Sequence, residues 1–173
     1  TPYGVRMIDP GGDGRVGGGA GGGGGGSAGT DEFSDLAGHP IRDYLTGDAP
    51  VPADFDDIMG YTPERVETPY GVRMIDPGGE CSSPTGNTGR SFDFTFPCQT
   101  HDLAYDLLRY NERKGLPHNP EARRAADDQF REDMFGHCAE TRGGFNEWTC
   151  KNWAGTYHWF VARNSDLQHH GVP

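Results

Sequence analysis

The sequence predicts a mainly α fold, a small disulfide-linked helical domain built round an antiparallel pair of helices. Three observations lead there. Apolar residues recur at helical spacing in three segments between residues 100 and 163. A short loop, "GLPHNP", separates the first two segments, so their helices are expected to lie side by side and antiparallel. Four cysteines, Cys81, Cys98, Cys138 and Cys150, accompany a hydrophobic content of only 33%, and a core that small usually needs cross-links.

In chain order, "DEFSDLAGHPIRDYLTG" spaces Phe33, Leu36, Ile41, Tyr44 and Leu45 on helical faces, broken near Pro40. "PADFDDIMGY" adds a further turn or two. Asp54, Asp56 and Asp57 stand early in it, as the helix dipole prefers, and are read as a solvated face. In "SFDFTFP", Phe92, Phe94 and Phe96 alternate like an extended edge, either an apolar rim or core. Thr100 is expected to cap a helix running to about Lys114 and stopped by Gly115. It carries His101, Tyr105 and Leu108 on one side and Asp102, Asp106 and Arg109 on another. Asn119 caps the next helix, with Pro120 at its first position and Gly136 as its stop. Ala126, Asp127, Phe130 and Met134 form its inward stripe, and Arg124, Asp128, Arg131 and Glu132 face out. A third helix over about residues 146–163 stacks Cys150, Trp153, Tyr157 and Phe160 as core. Residues 166–173 read as a frayed tail.

The ends of the chain are organised differently. "TPYGVRMIDPGG" occurs at 1–12 and again, without mismatch, at 68–79. Nothing between the copies repeats, so this is no solenoid, and so exact a copy reads as engineered or artefactual. Residues 13–29 form a glycine-rich flexible linker with a reach of about 25 Å. That is enough for the first copy to dock intramolecularly in the slot that residues 68–79 occupy. "GDGRVG" in this linker fits a dinucleotide fingerprint in letters only, since no helix pattern follows it. Residues 30–79 form an N-terminal helical and extended part, and residues 80–165 the core of the domain.

Charge and cysteine usage narrow the function. A formal charge of −11 makes nucleic acid a poor partner, because that binding rests on Lys/Arg contacts to phosphate. No apolar run approaches the ~20 residues of a membrane span. The cysteines lack C-x2-C spacing, which argues for disulfides in a secreted protein over zinc. Three pairings are open. Cys81–Cys98 and Cys138–Cys150 are favoured because each closes a short local loop. No signal peptide is read, so an exported protein would stand here in processed form.

The chemistry centres on "PCQTHDLAYD". Neighbours on a helix point about 100° apart, so His101 and Asp102 must address different partners. His101 sits early in the first helix, and Asp127 lies on the buried stripe of its antiparallel partner. A buried carboxylate is costly unless paired, and an imidazole across the interface would satisfy it. The expectation is that Asp127 accepts the Nδ1 proton and leaves Nε2 to take a proton from water. Asp102 is then available for a hard cation, with oxygen donors from "GGECSSPTG", Glu80 among them; such donors suit calcium. Tyr105, one turn past His101, either lines an acyl channel or bonds Asp127. The other histidines (His39, His118, His137, His158, His169, His170) are read as turn, rim or tail residues.

"CQTHDLAYD", preceded by "CSSP" and followed by "DDQFREDM" and two further cysteines, resembles the secreted bacterial and fungal phospholipase A2 family over about residues 80–160. The resemblance implies a pair of catalytic helices and calcium-dependent hydrolysis of the sn-2 acyl ester of glycerophospholipids. His101 would be the base, Asp127 its partner and Asp102 the calcium carboxylate. It implies a phospholipid substrate at a membrane or micelle surface, and a monomer is expected. In the family an Asp often stands two places before the first cysteine and supplies calcium with the next residue's carbonyl. Here those places hold Gly79 and Glu80, with Glu80 or Asp76 as the substitute. The alternative is a non-catalytic lipid- or protein-binding relative with a degraded calcium site, which Gly79 favours. A metal phosphohydrolase needs further His/Asp ligands than this pattern offers.

Overall fold

In the computed structural model, residues 39–81, 88–89, 92–116 and 119–169 are described. The first repeat copy, the glycine linker, Phe33, Leu36, His118 and the whole of "SSPTG" lie outside them. Two short helices open the described chain, α1 (Ile41–Thr46) and α2 (Phe55–Met59). An antiparallel hairpin follows, β1 (Glu64–Thr68) and β2 (Gly71–Ile75), in register from Glu64↔Ile75 to Thr68↔Gly71. A second, minimal pair, β3 (Thr88–Gly89) and β4 (Phe92–Asp93), leads into three long helices. These are α3 (Thr95–Arg113), α4 (Pro120–Thr141) and α5 (Phe145–His169).

The mainly helical, disulfide-linked fold holds, with shifted boundaries. α3 starts at Thr95, a turn before Thr100. The Asp93 carboxylate accepts the Thr95 amide (2.9 Å), and Pro97 falls in the first turn, where its missing N–H costs nothing. Thr100 is therefore a buried interior residue, not a cap. Phe92 and Phe94 belong to the core, while Phe96 is partly exposed. Asp54 is no mere solvated charge. It accepts from Lys114 Nζ (2.7 Å) and from the Tyr110 hydroxyl, tying α2 to the end of α3, whereas Asp56 and Asp57 are exposed.

α4 begins as its sequence dictates: Asn119 Oδ1 accepts from the amides of Glu121 (3.1 Å) and Ala122 (3.2 Å), with Pro120 next. It does not stop at Gly136 but continues to Thr141. That glycine serves packing. A Cβ there would lie 2.8 Å from the Cβ of Tyr70, in the hairpin turn, so only glycine lets the hairpin close on the helix. On α5 the buried stripe is Cys150, Ala154, Tyr157 and Val161, with Trp153 and Phe160 only half-buried. The bulky aromatics had drawn the predicted stripe one position aside.

Contacts step back along α3 as they step forward along α4. Tyr105 and His101 reach Asp127, and His101 reaches Phe130, so the helices are antiparallel. Two clusters form the core. One gathers Ile41, Tyr44, Leu45, Phe55, Leu103 and Leu107, and the other Phe94, Phe130, Met134 and Tyr157 with the cysteines. Each fully buried side chain of this kind contributes about 1.5–3 kcal/mol. Bonds join Cys81 to Cys98 and Cys138 to Cys150, fastening the segment before α3 to its first turns and α4 to α5. Loops of this length stabilise by about 3 kcal/mol each on chain-entropy grounds. From Thr100 to Leu108 every residue of α3 is buried, so it forms the central element on which the others pack.

Candidate active site

His101 lies at the seam of the two core clusters and is 1% exposed. Its ring stacks on Phe130 (centroids 4.6 Å apart) and meets the edge of Tyr105 (4.7 Å). Across the α3–α4 gap its Nε2 is 2.8 Å from Asp127 Oδ1. The Tyr105 hydroxyl donates to the same oxygen, also at 2.8 Å. The nitrogens are thus exchanged relative to expectation: Nε2 faces the carboxylate, and Nδ1 has no hydrogen-bond partner among the described residues. The reason is reach. Packed helix axes stand 8–10 Å apart, and only the outer nitrogen of the ring extends far enough to meet a short aspartate side chain. Nδ1 lies nearer the backbone of α3, on the side of the ring away from Asp127.

One position on, Asp102 turns to the segment that follows β2. Its Oδ2 accepts the backbone N–H of Glu80 at 3.0 Å. Glu80 itself is exposed, so what it brings to Asp102 is its amide. Gly79 is buried, and a Cβ on it would lie 2.7 Å from Asp102 Oδ2 and 3.2 Å from the carbonyl oxygen of Asp76. Asp76 is only 5% exposed. Its Oδ1 accepts the Gly78 amide (2.8 Å), its carbonyl accepts Gly79 N (3.0 Å), and its own amide donates to the Gln99 carbonyl (3.0 Å). Two buried carboxylates, Asp76 and Asp102, therefore flank a side-chain-free stretch of backbone. Such hard oxygen donors fit a hard cation. Among the described residues no three His, Cys, Asp or Glu side chains converge as a metal set, so a cation here would depend on backbone oxygens as well.

Sequence reasoning missed a buried polar cluster beside this loop. Arg73 of β2 donates to Asp133 Oδ1 through Nε (2.9 Å) and Nη2 (2.8 Å), and Gln129 Nε2 donates to the same oxygen (2.7 Å). Burial pushes the Asp133 carboxyl up, against the opposing pull of Arg73 and Gln129. Gln129 and Asp133, spaced i and i+4 next to the apolar stripe of α4, were the available signal. His158 of α5 is half-buried, with Nε2 3.9 Å from Asp128 Oδ1, and burial lowers its imidazole below the usual range. Phe145, Trp148 and Trp159 are exposed on α5, which bears a shallow groove of about 290 Å³ lined by Trp148, Thr149, Asn152, Trp153 and Thr156.

Residues 73–165, from β2 into α5, match the family described as prokaryotic phospholipase A2. A curated protein named secretory phospholipase A2, from Arthroderma benhamiae, is 30% identical over 93 residues, covering 50% of this chain and 56% of that protein. The chain thus spans about half the length of the curated relative it matches. No solved structure matches it. The matched span takes in more than half of the chain and every residue of the His101 and Asp102 sites, and the chain belongs to the prokaryotic phospholipase A2 family.

Proposed function

We propose that the protein hydrolyses the sn-2 acyl ester of glycerophospholipids, with water as the nucleophile and calcium as cofactor. The single observation that carries this is the polarity of the His101 ring: Nε2 on Asp127, and Nδ1 without a hydrogen-bond partner among the described residues. In that tautomer Nε2 carries the proton and Nδ1 is the base. Nδ1 takes a proton from water as it attacks the ester carbonyl, then returns it to the leaving alkoxide. Asp127 holds the ring in place and stabilises the imidazolium between these transfers. Tyr105, bonded to the same oxygen, fixes the carboxylate. Asp102, with Asp76 and the backbone around Gly79, would hold the calcium. Bound there, the ion supplies Lewis-acid polarisation of the carbonyl and charge for the oxyanion.

Gly79, on which the non-catalytic alternative rests, supports the catalytic reading instead, because a side chain at that position would strike Asp102. Exposed Phe145, Trp148 and Trp159 offer aromatic surface suited to a lipid interface, and the two disulfides suit secretion. We take the working unit as a monomer, and docking of residues 1–12 in the slot of 68–79 as a competing, inhibitory state. The test is fatty-acid release from mixed micelles with calcium and with chelator, in wild type and His101→Ala. Release should need calcium and fall by about 10²–10⁴ in the variant. Release that survives either change overturns the mechanism. Unchanged activity and calcium affinity on deleting residues 1–29 overturns the docking.

A further inference from the structure

Three elements carry the two halves of the site. α3 bears His101 and Asp102, α4 bears Asp127, and the segment after β2 bears Asp76, Gly79 and Glu80. The α3–α4 contact is closed by the His101–Asp127 bond. The α3–loop contact is closed by Asp76 N to Gln99 O and by Glu80 N to Asp102 Oδ2. The remaining side of the triangle joins the hairpin to α4. There the Arg73 fork meets Asp133, and one helical turn on, Tyr70 lies over Gly136. Arg73 is also held from behind. Its guanidinium lies 5.1 Å from the Tyr70 ring centroid, and Nη1 donates to the Val72 carbonyl (2.6 Å). Gln129, which completes the Asp133 oxygen, is itself held by Arg42 Nε of α1 (2.8 Å). Asp133 is fully buried and Arg73 nearly so, at 0% and 13% side-chain exposure. An ion pair so placed is a weak source of net stability, because desolvation offsets its attraction, whereas removing one partner alone is costly.

Resting on the calcium reading above, we infer that Arg73 and Asp133 are a positioning pair that sets the approach of the 76–80 loop to Asp102. Arg73 of β2 stands three residues before Asp76, the first residue past the strand, about 10 Å of extended chain. Asp133 stands six residues after Asp127, about 9 Å along the helix. The pair therefore locks the loop to the element that also holds the catalytic carboxylate. It touches no reacting atom.

The test compares the wild-type chain with Arg73→Met/Asp133→Leu, which removes both charges together and strands neither. Three quantities are read: amide hydrogen exchange of Gly78, Gly79 and Glu80 without calcium, calcium affinity by calorimetry, and kcat at saturating calcium. Exchange at these three amides should quicken about tenfold while α3 amides stay protected, and calcium affinity should fall about tenfold, with kcat within about twofold of wild type. Should the double variant not fold, Arg73→Lys keeps the charge without the fork, and the same shifts are expected in smaller measure. Loop exchange and calcium affinity that stay at wild-type values, whatever happens to Tm, overturn the inference and leave the hydrolase reading standing. If both shift in a protein whose wild type releases no fatty acid, the pair's role holds and the reading of the reaction fails.

Discussion

Placing the family's aspartate at position 79 is the change a sequence comparison would suggest as a repair, and the structure predicts that it damages the site. A Cβ at 79 stands 2.7 Å from Asp102 Oδ2, where ordinary contact begins at 3.4 Å, and 3.2 Å from the Asp76 carbonyl. Neither neighbour is the free end of a long side chain, since one is a short buried carboxylate and the other is backbone. Overpacking of this kind costs about 1–3 kcal/mol. In a domain of this size that lowers Tm by roughly 3–10 °C. Gly79→Ala isolates the steric part. Gly79→Asp adds a further carboxylate, about 4 Å from Asp102, a repulsion on the order of 4 kcal/mol at an effective dielectric of 20. Both variants should displace Asp102 and reduce fatty-acid release from micelles by about 10–100-fold, with calcium needed at higher concentration. The assay is release across a calcium titration, beside thermal melts without the ion. A Gly79→Asp protein that matches or exceeds wild type, with tighter calcium response and unchanged Tm, would refute the steric reasoning.

Further expectations concern single contacts. Tyr105→Phe removes one of the two donors on Asp127 Oδ1, and should cost about 1 kcal/mol of stability by denaturant melt and slow hydrolysis by less than about tenfold. Burial holds His137 below the ordinary imidazole range, with Asp93 pulling it up and Arg142 down. Its folded value is therefore below the unfolded ~6.5, so its contribution is full above that pH and is lost as pH falls below it. Wild-type Tm should fall more steeply from pH 7.5 to 5 than that of His137→Gln. Trp148→Ala and Trp159→Ala should leave Tm and hydrolysis of a soluble monomeric ester unchanged, since both side chains are exposed. Vesicle binding should weaken about tenfold for each, the worth of about 1.5 kcal/mol of aromatic burial.

The long helices were legible because their signals are local. Asn119–Pro120 opens α4 by side-chain chemistry, and Ala126, Asp127, Phe130 and Met134 mark its face by spacing alone. What escaped depends on residues distant in sequence. Gly136 reads as a helix stop until Tyr70 is seen lying against it. The β1–β2 hairpin is short and half-exposed, and "ERVET" alternates charge more than hydrophobicity, so its period was faint. Thr100 looked like a cap because a threonine stands just ahead of the helical pattern, yet the helix opens at Thr95 and takes Pro97 into its first turn. The pairing of residues 101 and 127 followed from helix phase. Which ring nitrogen meets the carboxylate follows from the distance between helix axes, which spacing does not encode.

The burial of α3 on all sides from Thr100 to Leu108 sets where this protein is free to change. A helix at a surface resists replacement only at the buried positions that recur every third or fourth residue, but this one should resist it almost without interruption. Adaptation to new lipids would then fall to the outer rows of α4 and α5, where side chains turn over without disturbing the frame that aligns imidazole and acids.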